Sequence, residues 1–290
     1  MQMFLLSAGL SLLALALAYH FAALRVFNAV VPKDANAELV GEAVAYGPDA
    51  RQKLDIYAPR NAGGPLPILL FVYGGSWKDG HRGGYEFVGR TFAGRGYLTL
   101  VMDYRLMPEN RFPAFVQDVA RAIAWVEKEV KRFGGDPGRI FAVGHSAGAY
   151  NLSMAILNQQ YFNAAGVDPS PIRAVATLAG PFDFLPLDTK TTIETFGSEP
   201  DLILTQPITY ARADAPPFLL MTGTVDTTVF PKNSRAMDKV LREKGATSEL
   251  REYQGLGHVR ILMAIAKPFR SQAMPVLEDI LAFFAKHDVN

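Results

Sequence analysis

Short runs of consecutive apolar residues alternate along the chain with longer segments in which apolar and polar residues are mixed. The apolar runs lack the strict alternation of a strand that faces water on one side. Such continuous runs are typical of parallel strands that helices cover on both faces. The predicted strands are residues 68–73, 98–102, 140–143, 174–179 and 218–221. The pattern therefore predicts an α/β protein.

Helical periodicity separates these runs. One face of a predicted surface helix repeats at intervals of three and four residues, through Val119, Ile123, Val126 and Val130. A second helix is predicted between Pro231 and Gly245, before the strand-like sequence SELREY. Residues 183–214 are less periodic and lie between two predicted strands, so we expect them to form a small lid over a pocket.

The composition excludes several kinds of function. The chain has 290 residues, of which 49% are hydrophobic and 20% charged, as is ordinary for a globular protein, and we favour one large domain. A formal net charge of +1 predicts no attraction to nucleic acid. The absence of cysteine excludes disulfides, thiolate catalysis and cysteine metal sites. Because the sequence also lacks an H-E-x-x-H motif, no metal is expected.

The first 24 residues carry no Asp, Glu, Lys or Arg, and about 20 apolar residues suffice to cross a bilayer. A signal peptide needs a basic n-region, which is missing, although residues 16–18 offer an A-x-A cleavage site. A helix packed on its own domain or on a partner copy is the second alternative. We favour a membrane anchor, because the segment is apolar all round. We divide the chain into an apolar helix, 1–27, and a catalytic domain, 28–290, and expect membrane association, with a cytoplasmic location otherwise.

Ser146 lies in the sequence GHSAG, residues 144–148, after an apolar run and before a helix-like stretch. A strand that turns sharply into a helix holds its serine in strained geometry, and glycine two residues away on each side gives the necessary room. The hydroxyl is then predicted to stand at the carboxyl end of the sheet and at a helix N-terminus. The alternative is a passive serine in a glycine-rich turn.

A serine nucleophile needs a base, and the chain has five histidines. His20 lies in the apolar leader and His287 lies three residues from the C-terminus. His145 adjoins the serine and is expected to point away from it. His81 lies near the loop FVYGGSWKDG, residues 71–80, which is the candidate oxyanion segment, and it could touch substrate there. His258 follows the final predicted strand and is the predicted base. The alternative for His258 is a solvated loop histidine.

The acid that orients the base should lie between the serine and the histidine in chain order, at the end of a strand. Asp226 meets both conditions, with a turn-capping side chain as the alternative. Asp183 and Asp214 also lie in this interval, but neither follows a clear strand at the right distance. We assign these two aspartates lid or structural roles.

Backbone N–H groups must face the carbonyl oxygen of a substrate as it becomes negative. One is expected from Ala147, next to the nucleophile, and the others from the loop FVYGGSWKDG. Gly75 and Ser76 are the predicted donors there, with Gly74 as a weaker third. Trp77 is predicted either to wall the substrate pocket or to be a packed loop aromatic.

Several motifs in order resemble a known family. They are YGGSW, DYRLMPENRFPAFVQDVARAIAW, FGGDPGRIFAVGHSAGA, GTVDTTV and GLGH. Together they resemble α/β-hydrolase esterases of the hormone-sensitive-lipase and feruloyl/acetylxylan-esterase-like groups, which are also similar to kynurenine formamidases. The resemblance covers residues 52–284. It implies an α/β-hydrolase fold with a mostly parallel eight-stranded sheet.

The resemblance also implies hydrolysis of carboxylic esters without a cofactor, with the triad on Ser146, Asp226 and His258. Glu109 and Asp118 match family positions that we interpret as structural. One position departs from the family: relatives usually have histidine where this chain has Tyr73. That side chain braces the oxyanion loop, so we expect activity to survive, with altered support for the loop.

We therefore expect a carboxylic ester hydrolase that acts through an acyl-enzyme on small or short-acyl esters. An amidase or formamidase with the same triad is the first alternative, since only the leaving group differs. A catalytically silent hydrolase fold that serves as a membrane-tethered binding module is the second. The oligomeric state and the natural substrate do not follow from the sequence.

Overall fold

The computed structural model describes residues 26–271 and 273–288. One eight-stranded sheet forms its centre, in the order β1-β2-β4-β3-β5-β6-β7-β8. The strands are β1 (Ala37–Ala45), β2 (Lys53–Pro59), β3 (Leu66–Val72), β4 (Leu98–Met102), β5 (Gly135–His145), β6 (Ile172–Leu178), β7 (Phe218–Gly223) and β8 (Ser248–Tyr253). Among the described strands, the pairings of β2 with β1 and with β4 are antiparallel and the other five pairings are parallel, so the predicted mostly parallel sheet is confirmed.

Helices follow most of the strands and cover the sheet. They are α1 (Glu86–Ala93), α2 (Ala114–Glu129), α3 (Ala147–Leu157), α4 (Gln160–Ala165), α5 (Lys190–Phe196), α6 (Lys232–Glu243), α7 (His258–Met263) and α8 (Val276–His287). The predicted apolar face of α2 is buried, as are nearly all residues of β3 to β7. This two-sided burial explains why these strands read as continuous apolar runs.

The sequence pattern missed β1. Its residues are exposed or half-buried after the first, and its pairing with β2 shifts register twice, between Leu39 and Gly41 and between Gly41 and Val44. Ala43 has a φ of 51°, which an L-residue rarely adopts. Two bulges break the two-residue alternation that identifies a strand, so the sequence carries no clear signal there.

Residues 183–214 contain α5 and two short 3₁₀ segments, Leu202–Thr205 and Pro207–Tyr210. This lid is fastened to the loop that follows β3. Lys78 Nζ lies 2.5 Å from Glu194 Oε2, and the rings of Trp77 and Phe196 meet edge to face at 5.0 Å. The lid and the predicted oxyanion loop therefore support one another.

The predicted anchor, residues 1–27, lies almost wholly outside the described residues. Residues 26–30 are helical, and the side chain of Asn28 donates to the carbonyl of Gly83 and accepts from the amide of Phe87. The Phe27 ring contacts the rings of Phe87 and Phe269. Across residues 26–271 and 273–288, no helix has the length and apolar character to cross a membrane.

Candidate active site

Ser146 occupies the sharp turn between β5 and α3. Its φ of 54° and ψ of −124° fall outside the regions that L-residues favour, so the turn holds it under strain. A Cβ on Gly144 would lie 2.6 Å from Ala149 Cα, and one on Gly148 would lie 2.1 Å from the carbonyl oxygen of Val72. Both glycines are therefore required for the tight passage from strand to helix, as the motif predicts.

His258, the first residue of α7, bridges the serine and an aspartate. Its Nε2 lies 2.8 Å from Ser146 Oγ, and its Nδ1 lies 2.8 Å from Asp226 Oδ2. An ionised carboxylate only accepts hydrogen bonds, so the Asp226 contact places the ring proton on Nδ1. Nε2 is then free to accept the serine proton. The structure thus brings together the three residues that the sequence predicts to form a triad.

Asp226 is held by backbone as well as by histidine. Its Oδ1 accepts hydrogen bonds from the amides of Thr228 at 2.8 Å and Val229 at 2.9 Å, and the residue is 2% exposed. Burial acts to raise the pKa of Asp226, but the hydrogen bond and charge of His258 and these two amides outweigh it and lower the pKa. The carboxylate therefore stays ionised at neutral pH.

The loop after β3 brings three successive residues with positive φ against the sharp turn at Ser146, which we call the elbow. Gly75 has a φ of 147°, Ser76 of 53° and Trp77 of 59°. A Cβ on Gly74 would lie 2.7 Å from Ser146 Cβ, so only glycine lets the loop approach the nucleophile this closely. Within the described part of the chain, the amides of Gly75, Ser76 and Ala147 donate to no backbone or side-chain acceptor. These are the amides predicted as oxyanion donors.

Trp77 turns away from solvent. It is 4% exposed, its Nε1 donates to Asn151 Oδ1 at 2.8 Å, and its ring contacts the rings of Phe115, Tyr150 and Phe196. These surroundings are those of a packed loop aromatic, and they favour that interpretation over a pocket wall. Contact between Trp77 and a substrate stays a prediction.

Tyr73 occupies the position where the family resemblance implies a histidine, and its hydroxyl lies in a buried ionic cluster. It donates to Asp103 Oδ1 at 2.5 Å and accepts from Arg51 Nη2 at 2.9 Å, while the same guanidinium donates to the carbonyl of Gly80 at 2.9 Å. Burial, followed by the charge of Asp103, raises the pKa of Tyr73 well above its ordinary value. A neutral hydroxyl thus links the loop to the sheet.

Arg82 completes this cluster. Its Nη1 donates to Asp103 Oδ2 at 2.5 Å and its Nε to Asp55 Oδ1 at 2.7 Å. Burial acts to lower the pKa of Arg82, but the hydrogen bonds to Asp55 and Asp103 outweigh it and raise the pKa. Two carboxylates and two guanidiniums therefore compensate one another beneath the oxyanion loop. No local motif marks this set, because its members come from distant parts of the sequence.

His145, which is expected to point away from Ser146, makes no side-chain hydrogen bond to that serine within the described residues and contacts His258 instead. Its ring centroid lies 5.0 Å from that of His258, and its Nε2 lies 3.0 Å from the carbonyl oxygen of His258. Burial, and then the neighbouring His258, lower the pKa of His145 to about 3. The sequence gives no signal for this contact, because the turn at Ser146 decides where the preceding side chain points.

The remaining candidate residues lie outside the triad and the loop after β3. Asp183 is exposed, and the carboxylate of Asp214 is 74% exposed and paired with Arg212 at 2.8 Å. Asp118 is fully buried and accepts hydrogen bonds from Arg105 and Gln52, which fits the structural role that the resemblance implies.

Comparison with known proteins gives one matching family model, that of BD-FAE, over residues 54–241. A probable isoprenylcysteine alpha-carbonyl methylesterase of Arabidopsis thaliana is 27% identical over 83% of this chain and 55% of its own length. Esterase LipC of Mycobacterium tuberculosis is 32% identical over 74% of this chain and 58% of its own. The chain thus spans little more than half the length of these two relatives.

Among solved structures, esterase B from Lactobacillus rhamnosis superposes with a TM-score of 0.83 at 21% identity, covering 97% of this chain and 95% of the other. A truncated carbohydrate esterase from gut microbiota gives a TM-score of 0.75 at 21% identity, over 89% of this chain and 99% of the other. At this level of identity the likeness shows the fold, which is that of the α/β-hydrolases.

Proposed function

Because the chain belongs to the BD-FAE family, we propose that it is a carboxylic ester hydrolase with Ser146 as its nucleophile. The observation that carries this proposal is the unbroken hydrogen-bonded series from Ser146 through His258 to Asp226, with 2.8 Å at both links. Relatives named as esterases support the reaction class. A silent binding module has no need of such a series on a strained elbow.

In the proposed reaction, Ser146 Oγ attacks the ester carbonyl while His258 Nε2 takes its proton. Asp226 accepts a hydrogen bond from Nδ1–H, remains ionised and stabilises the imidazolium that forms. The amides of Gly75, Ser76 and Ala147 receive the negative oxygen of the tetrahedral intermediate. His258 then protonates the leaving alcohol, and the acyl-enzyme is hydrolysed when a water molecule attacks by the same route in reverse.

We propose small or short-acyl esters as substrates. Tyr150, one helical turn beyond the nucleophile, contacts the rings of Trp77, Phe184 and Phe196, and its hydroxyl donates to Thr205 in the lid. This cluster fills the space between the first turns of α3 and the lid, which favours a small acyl group. The Arabidopsis relative is named for a methyl ester of a lipid-modified cysteine, so a large acyl group is the contrasting case to test.

The deciding experiment compares aryl esters of increasing acyl length with formyl amides and with the methyl ester of an isoprenylated cysteine. We expect kcat/KM to be highest for the short esters, with formyl amides far slower. Preference for formyl amides would establish an amidase instead. Reaction of the wild type with a fluorophosphonate probe, and none by Ser146→Ala, separates an enzyme from a silent module.

We also propose that residues 1–24 attach the protein to membranes. The support is the length of uncharged sequence there, which ends just before residues 26–30 join the fold. Full-length protein should sediment with membranes, while a chain that begins at Val26, and so keeps the Phe27 and Asn28 contacts, should stay in solution and remain active. Full-length protein that is a detergent-free monomer in the soluble fraction would contradict the proposal.

A further inference from the structure

His145 lies next to all three parts of the proposed catalytic machinery. Its backbone belongs to the elbow beside Ser146, and its Nε2 lies 3.0 Å from the carbonyl oxygen of His258. On the other side, a Cβ placed on Gly74 would lie 3.1 Å from its Nδ1. The imidazole therefore fills the junction between the nucleophile, the base and the oxyanion loop.

The contacts determine which nitrogen carries the proton. A carbonyl oxygen only accepts, so Nε2 must be the donor. Nδ1 is buried and has no hydrogen-bond partner among the described residues, and His145 as a residue is 5% exposed. The ring is thus a neutral imidazole with one fixed tautomer, and the low pKa that burial gives it agrees with this assignment.

We propose that His145 is a positioning residue for the catalytic base: its Nε2–H holds the carbonyl of His258 and so fixes the backbone from which the catalytic imidazole projects. This inference rests on the proposed function, because it concerns the base of that reaction. His258 follows Gly257 and begins a helix of only six residues, so its own element provides little rigidity. The hydrogen bond from the elbow instead ties the base to the same strand end that carries the nucleophile.

The neutral state of His145 is part of the role. During proton transfer His258 becomes positive, and a second positive ring with its centroid 5.0 Å away would oppose that charge. A neutral donor positions the base without this repulsion. An error of about 1 Å in the placement of a catalytic group can cost about a hundredfold in rate, so a contact that fixes the base has a measurable effect on kcat.

The test uses three substitutions. His145→Gln places an amide N–H near the position of Nε2 and keeps the donor. His145→Met has a similar length but no donor, and His145→Asn is polar but too short to reach the carbonyl. Thr177→Val is the matched control: it lies beside Gly144 in the sheet, is fully buried, and its hydroxyl has no hydrogen-bond partner among the described residues.

Activity is measured with a short aryl ester and divided by the concentration of sites that a fluorophosphonate titrates. We expect His145→Met and His145→Asn to lose about 10- to 100-fold in kcat per titrated site, with KM changed less than about twofold. His145→Gln should retain kcat within about threefold, and Thr177→Val should match the wild type. The rate at which the probe labels Ser146 should follow the same order.

Equal losses in the Gln and Met variants, or wild-type kcat per titrated site in both donorless variants, would overturn the positioning role. Fewer titratable sites with normal turnover per site would also overturn it, since that result describes only a structural residue. A wild type that neither hydrolyses esters nor reacts with the probe would instead refute the proposed function, and this inference with it. Having two donorless variants keeps the test decisive if one of them does not fold.

Discussion

Asp226 and Asp103 are both 2% exposed and both follow a parallel strand at its carboxyl end, yet their surroundings differ completely. Asp226 faces a histidine whose second ring nitrogen meets a serine hydroxyl. Asp103 faces two guanidiniums and a tyrosine hydroxyl, together with the backbone amide of Arg82. In the proposed reaction, the histidine that is hydrogen-bonded to the first carboxylate gains and loses a proton. The second carboxylate accepts hydrogen bonds only from groups that keep their protons, and the half-exposed His81, whose Nε2 lies 3.6 Å from Asp103 Oδ2, is beyond hydrogen-bond distance.

The difference shows that burial of a carboxylate does not by itself indicate chemistry. Around Asp103, each charge is compensated by an opposite one that stays charged, and this arrangement fixes the shape of the loop above it. Around Asp226, the partner is an imidazole whose second nitrogen meets a serine hydroxyl. A buried acid is a candidate for catalysis when its partner can change its charge, and a structural element when its partner cannot.

The largest expected effect tests the Asp226 side of the comparison. Ser146→Ala and His258→Ala should each lose about 10⁴- to 10⁶-fold in kcat, because the members of a triad act as a unit. Thermal melting should show both variants folded, as neither side chain carries the core. Turnover above a few per cent of wild type in Ser146→Ala would show that the elbow serine is passive.

The second prediction compares Asp226 with the two other candidate aspartates between Ser146 and His258 in the chain. Asp226→Asn should lose about 10³- to 10⁴-fold in kcat with little change in KM, since an amide favours the wrong histidine tautomer. Asp183→Asn and Asp214→Asn, at the two ends of the lid, should lose less than about tenfold in kcat. These variants are to be compared at equal folded fraction. If Asp183→Asn were the inactive one, the assignment of the acid would fail.

Asp103→Asn should give the opposite result to Asp226→Asn. Removing one partner from a buried ion pair leaves charge uncompensated, and we expect a loss of about 3 kcal/mol in the free energy of unfolding. The kcat per titrated site should fall less than about tenfold. Denaturant unfolding together with active-site titration measures both quantities. A large kcat loss at unchanged stability would remove the distinction between the two aspartates.

Lowering the pH should destabilise the Asp226 side of the comparison, chiefly through the neighbouring His145. Burial lowers the pKa of His145 to about 3 in the folded protein, whereas its ordinary value is 6.5. The unfolded chain therefore protonates this histidine at a higher pH than the folded protein does. The free energy of unfolding falls for that reason as the pH drops from about 6.5 towards 3. Asp226, with its lowered pKa, adds a loss only below its ordinary value of 3.8. His258 and Asp226 are the titratable groups that act on His145. Unfolding curves at pH 7 and pH 4.5 should show a smaller acid loss in His145→Gln than in wild type, and equal losses would contradict the assignment.

The smallest effect is expected for Tyr73→Phe. The substitution removes two hydrogen bonds but leaves Arg82 on Asp103, so we expect about 1–2 kcal/mol of lost stability and kcat within about threefold of wild type. Tyr73→His, which introduces the histidine that the family resemblance implies at this position, provides the comparison variant. A kcat loss above about tenfold in Tyr73→Phe would mean that the hydroxyl sets the oxyanion amides and does more than brace their loop.

The sequence predicts those features of the fold and the site that are marked by a short stretch of the chain. The five apolar runs coincide with β3 to β7 because two-sided burial needs continuous apolar residues, and Ser146, Asp226 and His258 follow from chain order at strand ends. Their catalytic roles stay predictions. The partners of Asp103 and the direction of His145 depend on contacts between distant segments, and no local pattern encodes these contacts.

The two bulges of β1 have a consequence for how copies of the protein meet. A sheet ends in two unpaired edges that can recruit strands from other molecules and so start aggregation. The bulges and the left-handed Ala43 interrupt the regular ladder that β1 would offer, and Ala43 turns its amide inward to Asp55 Oδ1 at 2.8 Å. At the far edge, β8 carries Glu249, Arg251 and Glu252, all engaged in ion pairs. Both ends of the sheet therefore resist strand addition, one by its shape and the other by its charge.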